Sequence, residues 1–250
     1  MKAIYLDCFS GISGNMLLGA FLHAGVPAEH LKAELQKIPL PDVYEITIDK
    51  VTKQGISALY VNVSLAHQHE VHEEGHSHHH RTWADIRKFI DDSALSAGVK
   101  KQSKAIFENL AMAEGKIHNR AKDEVAFHEV GAVDSIVDIV GAVICLEYLE
   151  IEKVMVSAVN TGSGFVHCDH GILPVPAPAT AELLKSFPVY HQGAEKELTT
   201  PTGAAFLYTL ASYEENMPQN FQAEEIAYGA GYWDLEIPNV LRMYIGEVSA

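Results

Sequence analysis

The chain has few cysteines and few basic residues, and each shortage argues against a class of protein. Three cysteines, Cys8, Cys145 and Cys168, occur in 250 residues, and none forms a zinc-type CxxC pair. An odd number of widely spaced cysteines argues against a disulfide framework and favours a reducing compartment. The chain has 18 lysines and arginines against 33 aspartates and glutamates. An acidic surface of this kind repels phosphate backbones, so nucleic acid is not an expected partner.

Long apolar runs are also missing. The longest, residues 136–149, is interrupted by Asp138 and Glu147 and is too short to span a bilayer. The first residues, MKAIYLDCFSG, become polar too early for a signal peptide. No membrane contact is expected, and these features favour a cytoplasmic protein.

The apolar pattern predicts an α/β fold of mixed α+β character, a layered sheet with helices. Residues 2–7 form a predicted buried strand, and a loop of small residues and an apolar helix follow it. A strand pair joined at Gln54–Gly55, and another at the C-terminus, extend the predicted sheet. Residues 161–180 are predicted to be an irregular loop because they are rich in Gly and Pro. We expect one domain over residues 1–250.

Residues 67–80 are the clearest chemical signal, because they contain seven of the fourteen histidines. Their low apolar content predicts a mobile surface loop. Imidazole binds Ni, Cu, Zn and Co, and several rings in a flexible loop can share an ion and release it. The alternatives are a surface tract without function or a relic of an expression tag, although its internal position argues against a tag. The candidate ligands are His67, His69, His72, His76, His78, His79 and His80.

A second group joins His128 and Glu129 to a predicted helix that carries Asp134 and Asp138. The aspartates are four residues apart, so both carboxylates lie on one helix face. A histidine with three carboxylates could form a metal site or supply a general base. The alternative is capping by Glu129 and a solvated face for the aspartates.

A third group, His167, Cys168 and His170, places a thiol and two imidazoles within four residues. This set suits a soft or borderline metal ion. The alternative is a loop with a buried cysteine, which is the usual environment of a free thiol.

Three loops of small residues, 10–15, 161–164 and 199–203, are candidate anion sites. Unpaired backbone N–H groups at helix N-termini accept phosphate or carboxylate. No loop has the GxxxxGK[ST] pattern or a complete dinucleotide fingerprint. Ordinary helix capping explains each loop individually, whereas three together favour a phosphorylated substrate.

Taken together, these motifs resemble one family, the nickel insertases of nickel-pincer cofactor biosynthesis (LarC). The resemblance extends from Tyr5 to about Gly246, and Asn15 stands where the family usually has aspartate. The motifs that carry it are DCFSGISGNM, FHEVGAVDSIVDIVG, GSGFVHCDHGILPVPAPAT, ELTTPTGAA and GAGYWDLEIPNVLR.

The resemblance implies a chelatase of the lyase class. Such an enzyme inserts nickel into pyridinium-3,5-bisthiocarboxylic acid mononucleotide, whose two sulfurs and one ring carbon then bind the metal. CTP is hydrolysed to CMP and pyrophosphate, and the product serves lactate racemase. The resemblance also implies a C-terminal domain beyond Ala250 that holds CTP with Mn or Mg. Formation of the nickel–carbon bond requires loss of a ring proton, so a general base is expected.

The resemblance further implies roles for particular residues. His128, Glu129, Asp134, His167, Cys168 and His170 are expected near the nickel-transfer site, with His128 or Glu129 as the base. The expected ligands of the substrate phosphate or carboxylates are Ser10, Gly11, Ser13, Thr200, Thr202 and Arg242.

Other functions and partners stay open at this point. The chain could be a nickel storage protein or metallochaperone without turnover of its own. A hydrolase that uses Asp7, Ser10 and a distant histidine is disfavoured, because the GxSxG elbow is absent. Expected partners are the pyridinium nucleotide and the C-terminal half of the same insertase, with a homo-oligomer left open.

Overall fold

The computed structural model describes residues 1–65, 81–127, 133–168 and 171–249. The helices are α1 (Gly14–His23), α2 (Ala28–Leu35), α3 (Trp83–Asp92), α4 (Ala97–His118), α5 (Val133–Tyr148), α6 (Pro178–Leu184) and α7 (Pro201–Leu210). The strands are β1 (Lys2–Asp7), β2 (Tyr44–Lys53), β3 (Ile56–Leu65), β4 (Lys153–Val156), β5 (Val159–Asn160), β6 (Phe165–Cys168), β7 (Gly171–Pro174), β8 (Val189–Tyr190), β9 (Ala211–Tyr213), β10 (Phe221–Ala230) and β11 (Val240–Val248). The predicted loop 67–80 lies outside the described residues.

Seven strands form one mixed sheet in the order β2-β3-β10-β11-β1-β4-β9. The neighbours β1, β4 and β9 run parallel, whereas β11 is antiparallel to both β1 and β10. Two small sheets, β5–β8 and β6–β7, accompany the main one. This mixed sheet with helices confirms the predicted fold class. Within the described residues, no helix is both long enough and apolar enough to cross a bilayer.

The helices pack on one face of the main sheet. Side chains alternate along a strand, so Ile4 and Leu6 of β1 and Leu241 and Met243 of β11 enter the core that the helices cover. The intervening residues lie on the opposite face, where the two apolar clusters consist of strand and loop residues. We call this second surface the open face. It carries Tyr5, Asp7, Tyr228, Arg242 and Tyr244.

Helix α1 contacts the sheet through glycines. A Cβ atom on Gly229 of β10 would lie 1.7 Å from the Met16 carbonyl oxygen, and one on Gly19 would lie 2.3 Å from the Leu59 carbonyl oxygen. The His23 ring also accepts a hydrogen bond of 2.9 Å from the Tyr228 backbone N–H. These close contacts fix α1 relative to the strands.

The predicted strand pair joined at Gln54–Gly55 is confirmed. The hairpin β2–β3 turns at Gln54 and Gly55, both with φ in the left-handed region, and Pro201 is the first residue of α7. The prediction of an irregular loop over residues 161–180 is wrong, because β6 and β7 pair there as a hairpin and α6 begins there. Gly171 provides the positive φ, 100°, that the hairpin turn requires.

A capping box is present at the start of α3. The Thr82 hydroxyl accepts from the Asp85 N–H, and the Asp85 carboxylate accepts from the Thr82 N–H. These bonds hold the pKa of Asp85 below its usual value. They satisfy backbone donors that the helix leaves unpaired.

We expect Thr82→Ala to lower the free energy of unfolding by about 1 kcal/mol at pH 7, because it removes this cap. The loss should shrink as pH falls through the lowered pKa of Asp85, since the protonated carboxyl no longer accepts two bonds. Urea unfolding at pH 7 and pH 3 measures both effects. Thr52→Ala, a substitution of an exposed strand threonine, serves as the control, and equal losses in the two variants would contradict the capping assignment.

Candidate functional site

Four loops meet at the end of the sheet where β1 finishes, and Asn160 connects three of them. Its side-chain amide donates to the carbonyls of Phe9 and Gln192, both at 2.8 Å. Its Oδ1 atom accepts from the N–H groups of Gly162 and Gln192. Asn160 is 1% exposed, so these four bonds use the full capacity of a buried amide. Sequence reasoning did not single out Asn160, because its partners lie in distant loops.

The candidate anion loops are largely closed by packing. Ser10 is fully buried, and the Asn239 amide donates to its hydroxyl at 3.3 Å. Gly11 has a φ of 77°, and a Cβ there would lie 2.0 Å from the Leu198 carbonyl oxygen. The Thr200 hydroxyl accepts from the Gly203 N–H as the cap of α7. Packing and helix capping therefore explain why these residues occur here. Their binding of the substrate phosphate or carboxylates stays a prediction, as it does for the buried Thr202.

The N-termini of α1 and α5 touch at Asp138. A Cβ on Gly14 would lie 2.3 Å from Asp138 Oδ2, so only glycine fits there. Asp138 Oδ1 is buried and has no hydrogen-bond partner among the described residues. Burial, and next the charge of Asp134, raise the pKa of Asp138 well above its usual value. The alternative interpretation, in which the two aspartates lie on a solvated helix face, is therefore wrong for Asp138.

Asp134 and Asp138 share one helix face, as their spacing predicts, and the charge of Asp134 acts on Asp138. Asp134 is exposed at the first turn of α5, and its Oδ1 atom accepts from the Ser135 N–H at 2.8 Å. His128 and Glu129, which precede this turn in the sequence, lie outside the described residues.

Polar groups of α1 and β3 border the same carboxylate. The Ser13 hydroxyl donates to Asn15 Oδ1 at 2.6 Å, and the Asn15 amide donates to the Ala230 carbonyl at 3.4 Å. Burial, and then the charges of Tyr232 and Asp138, raise the pKa of Tyr60. An aspartate in place of Asn15 would keep the first bond and lose the second, since a carboxylate cannot donate.

The hairpin β6–β7 carries His167 and Cys168. Adjacent residues of a strand point to opposite faces; His167 is exposed, whereas Cys168 is half-buried and donates to the Gly171 carbonyl at 3.4 Å. In this conformation the hairpin does not aim both side chains at one ion. His170 lies outside the described residues, as do the seven histidines of the 67–80 tract.

The other two cysteines are unsuited to metal binding, because Cys8 and Cys145 are buried and burial raises the pKa of both thiols. Across the part of the chain that the structure describes, no group of three or more His, Cys, Asp or Glu side chains is arranged to hold a metal ion. The structure thus brings Asp134 and Asp138 together and shows no contact between them and His167 or Cys168.

Arg242 is an accessible candidate for binding an anionic group of a ligand. It lies opposite Asp7 in the β1–β11 register, and its Nε and one terminal nitrogen both donate to Asp7 Oδ2, at 3.0 and 2.5 Å. Its side chain is 36% exposed, so this cation can reach a ligand.

The sequence profile described as nickel insertion protein matches residues 4–250. The chain belongs to this family. It is 50% identical over 251 residues to the pyridinium-3,5-bisthiocarboxylic acid mononucleotide nickel insertion protein of Clostridium kluyveri, with 99% of this chain and 62% of the relative covered. It is 49% identical over 249 residues to the protein of the same name from Desulfitobacterium hafniense strain DCB-2, with 100% and 59% covered. The chain thus spans about 60% of the length of the curated relatives it matches. No solved structure matches it.

Proposed function

We propose that the chain takes part in inserting nickel into pyridinium-3,5-bisthiocarboxylic acid mononucleotide, which forms the nickel-pincer nucleotide cofactor of lactate racemase. The observation that carries the proposal is the family match over residues 4–250, together with the substrate that the relatives' names state. Nickel is then a substrate of the chain, and the chemistry is that of a cyclometallating chelatase of the lyase class.

The N-termini of α1 and α5 are our candidate for the nickel-transfer site. The paired carboxylates of Asp134 and Asp138 support it, since one oxygen of Asp138 is buried without a partner in the described residues. An oxygen of this kind is available to a cation. His128 or Glu129, immediately before α5 in the sequence, takes the ring proton in this proposal. The proposed further nickel ligands, His167, Cys168 and His170, would have to reach this site from the β6–β7 hairpin.

The phosphate and carboxylate groups of the nucleotide need cationic or hydrogen-bond donors. Arg242, Ser13 and Thr200 are the candidates for this role that are not fully buried. We assign CTP, with Mn or Mg, to the segment of the relatives that this chain does not span. The absence of a GxxxxGK[ST] motif from the sequence supports this assignment.

A nickel store or metallochaperone is the second candidate, and the seven histidines of residues 67–80 favour it. In that case binding would depend on the tract alone and would not respond to the nucleotide. The two candidates therefore differ in what the tract contributes.

Nickel incorporation into the purified precursor nucleotide in the presence of CTP tests the proposal. The chain is assayed alone and together with the complementary segment of a relative, and the product is followed by mass spectrometry. We expect product when both parts are present. Absence of product with both parts, with each part shown to be folded, would refute the proposed function.

Deletion of residues 67–80 should leave cofactor formation within about twofold of the intact chain when nickel is saturating. We expect this because a histidine-rich tract of low apolar content supplies ions and does not shape the site. The same assay, run at several nickel concentrations, measures the effect. Replacing the tract by an equally long Gly-Ser segment is the matched control for loop length. Complete loss of product in both variants would contradict this prediction. Nickel binding that disappears with the tract and does not respond to the nucleotide would favour storage.

A further inference from the structure

The ion pair between Asp7 and Arg242 has unused bonding capacity. Both hydrogen bonds that Arg242 donates converge on Asp7 Oδ2. Within the described ranges, Asp7 Oδ1 and the second terminal nitrogen of Arg242 form no hydrogen bond with the protein. The carboxylate is 19% exposed and the guanidinium side chain 36% exposed. The pair thus fixes the plane of the guanidinium and leaves one edge of each group available.

Aromatic rings surround the pair on the open face. The guanidinium carbon of Arg242 lies 5.4 Å from the ring centroid of Phe9 and 5.5 Å from that of Tyr244, within the range of cation–π attraction. Tyr228 lies opposite Arg242 on the neighbouring strand β10. Burial, and then the charge of Asp7, raise the pKa of Tyr190. The result is a half-exposed platform with one cation, one anion and several ring faces.

A pyridinium nucleotide with two thiocarboxylates has complementary chemistry. Its ring is flat and positively charged, whereas the groups at positions 3 and 5 are anionic. A guanidinium edge recognises carboxylate-like groups through paired N–H donors. A carboxylate offsets the ring charge, and aromatic side chains stack on flat cationic rings. A simple phosphate site would need the cation and would gain nothing from Asp7.

We infer that this platform binds the pyridinium ring of the nucleotide, an assignment that rests on the proposed function. Arg242 donates to one thiocarboxylate, and Phe9 and Tyr244 provide the aromatic walls. Asp7 acts as a positioning residue that orients Arg242 and lies beside the positive charge of the ring. The ring is thereby placed at the end of β1, next to the loop that leads into α1.

Binding measurements with three probes test the inference on the intact chain. The probes are the precursor nucleotide, N-methylpyridinium-3,5-dicarboxylate and pyridine-3,5-dicarboxylate, whose ring carries no charge. Each is titrated by calorimetry. We expect Arg242→Gln and Arg242→Lys to weaken binding of all three by about tenfold or more, because both lose the fixed fork. We expect Asp7→Asn to remove the preference for the methylated ring over the uncharged one, a change that a purely structural ion pair would not produce.

Lys153→Gln is the matched control, because Lys153 forms another ion pair of the same sheet, with Glu214 at 3.4 Å. It should leave all three affinities unchanged. Arg242→Lys keeps a cation beside Asp7, so it guards against loss of folding, which circular dichroism checks. If the wild-type chain binds the nucleotide and the Arg242 and Asp7 variants bind it equally well with the same ring preference, the inference is wrong while the proposed function stands. If the wild-type chain and its complementary segment neither bind nor convert the nucleotide, both are wrong.

Discussion

Asp138→Asn is expected to stabilise the protein and to abolish nickel incorporation. One carboxylate oxygen of Asp138 is buried without a partner in the described residues, against the start of α1 at Gly14. Leaving a buried polar group unpaired costs about 1–3 kcal/mol, and the cost is larger for a charge. Asparagine has nearly the same shape and no charge. The variant should therefore gain about 1–3 kcal/mol at pH 7 and lose at least tenfold in nickel incorporation.

The gain in stability should depend on pH in one direction. The pKa of Asp138 is raised in the folded protein, so the folded chain holds this proton to higher pH than the unfolded chain does. The free energy of unfolding of the wild type then falls as pH rises above about 4, the ordinary pKa of aspartate. Asparagine does not titrate, so the advantage of the variant should grow from pH 5 to pH 8 and vanish below about pH 4.

Urea unfolding at several pH values measures this advantage, and the nickel assay measures the loss of function. Asp123→Asn is the matched control, because Asp123 is an exposed aspartate in the short 3-10 helix Lys122–Glu124. It should change neither quantity by more than about 0.5 kcal/mol or twofold. A variant that is less stable at every pH, or that incorporates nickel normally, would remove Asp138 from the proposed site.

Gly229→Ala is expected to destroy the fold or to destabilise it by about 3 kcal/mol or more. Its Cβ would lie 1.7 Å from the carbonyl oxygen of Met16 and 2.5 Å from the backbone N of Ala20. Both are backbone atoms of α1, so no side chain can rotate away, and the helix must leave the sheet. Overpacking a core costs about 1–3 kcal/mol even where side chains can yield. Total stability is only about 5–15 kcal/mol.

Soluble yield, circular dichroism and urea unfolding report this loss. Gly98→Ala, in the first turn of α4, is the same substitution at a permissive position. Its nearest atom is the flexible end of Glu147, at 3.1 Å, and alanine favours the helix by up to about 1 kcal/mol over glycine. The control should be neutral or slightly stabilising. Similar behaviour of the two variants would mean that α1 does not sit on the backbone of β10.

Local rules were sufficient for much of the fold. The capping box at Thr82, the proline that opens α7 and the turn at Gln54 and Gly55 all depend on neighbouring residues, so their sequence patterns are enough to predict them. The β6–β7 hairpin was missed because composition rich in Gly and Pro usually indicates loops. The short segments β6 and β7 nevertheless pair, and Gly171 at the start of β7 has a positive φ.

The candidate site was predictable only in part. The four-residue spacing places Asp134 and Asp138 on one helix face, but the sequence does not say which face is buried. Contact with Gly14, more than one hundred residues away, decides that Asp138 loses its water and that its pKa rises.

The sequence by itself determined most of the element types, the family resemblance and the residues able to bind a metal or an anion, because composition and short-range spacing encode these properties. Tertiary structure alone decided that Asp7 and Arg242, 235 positions apart, form a pair between aromatic rings. It also decided that Asn160 binds three loops together. Such contacts depend on strand order and register, which arise from packing of the whole chain and have no local signature.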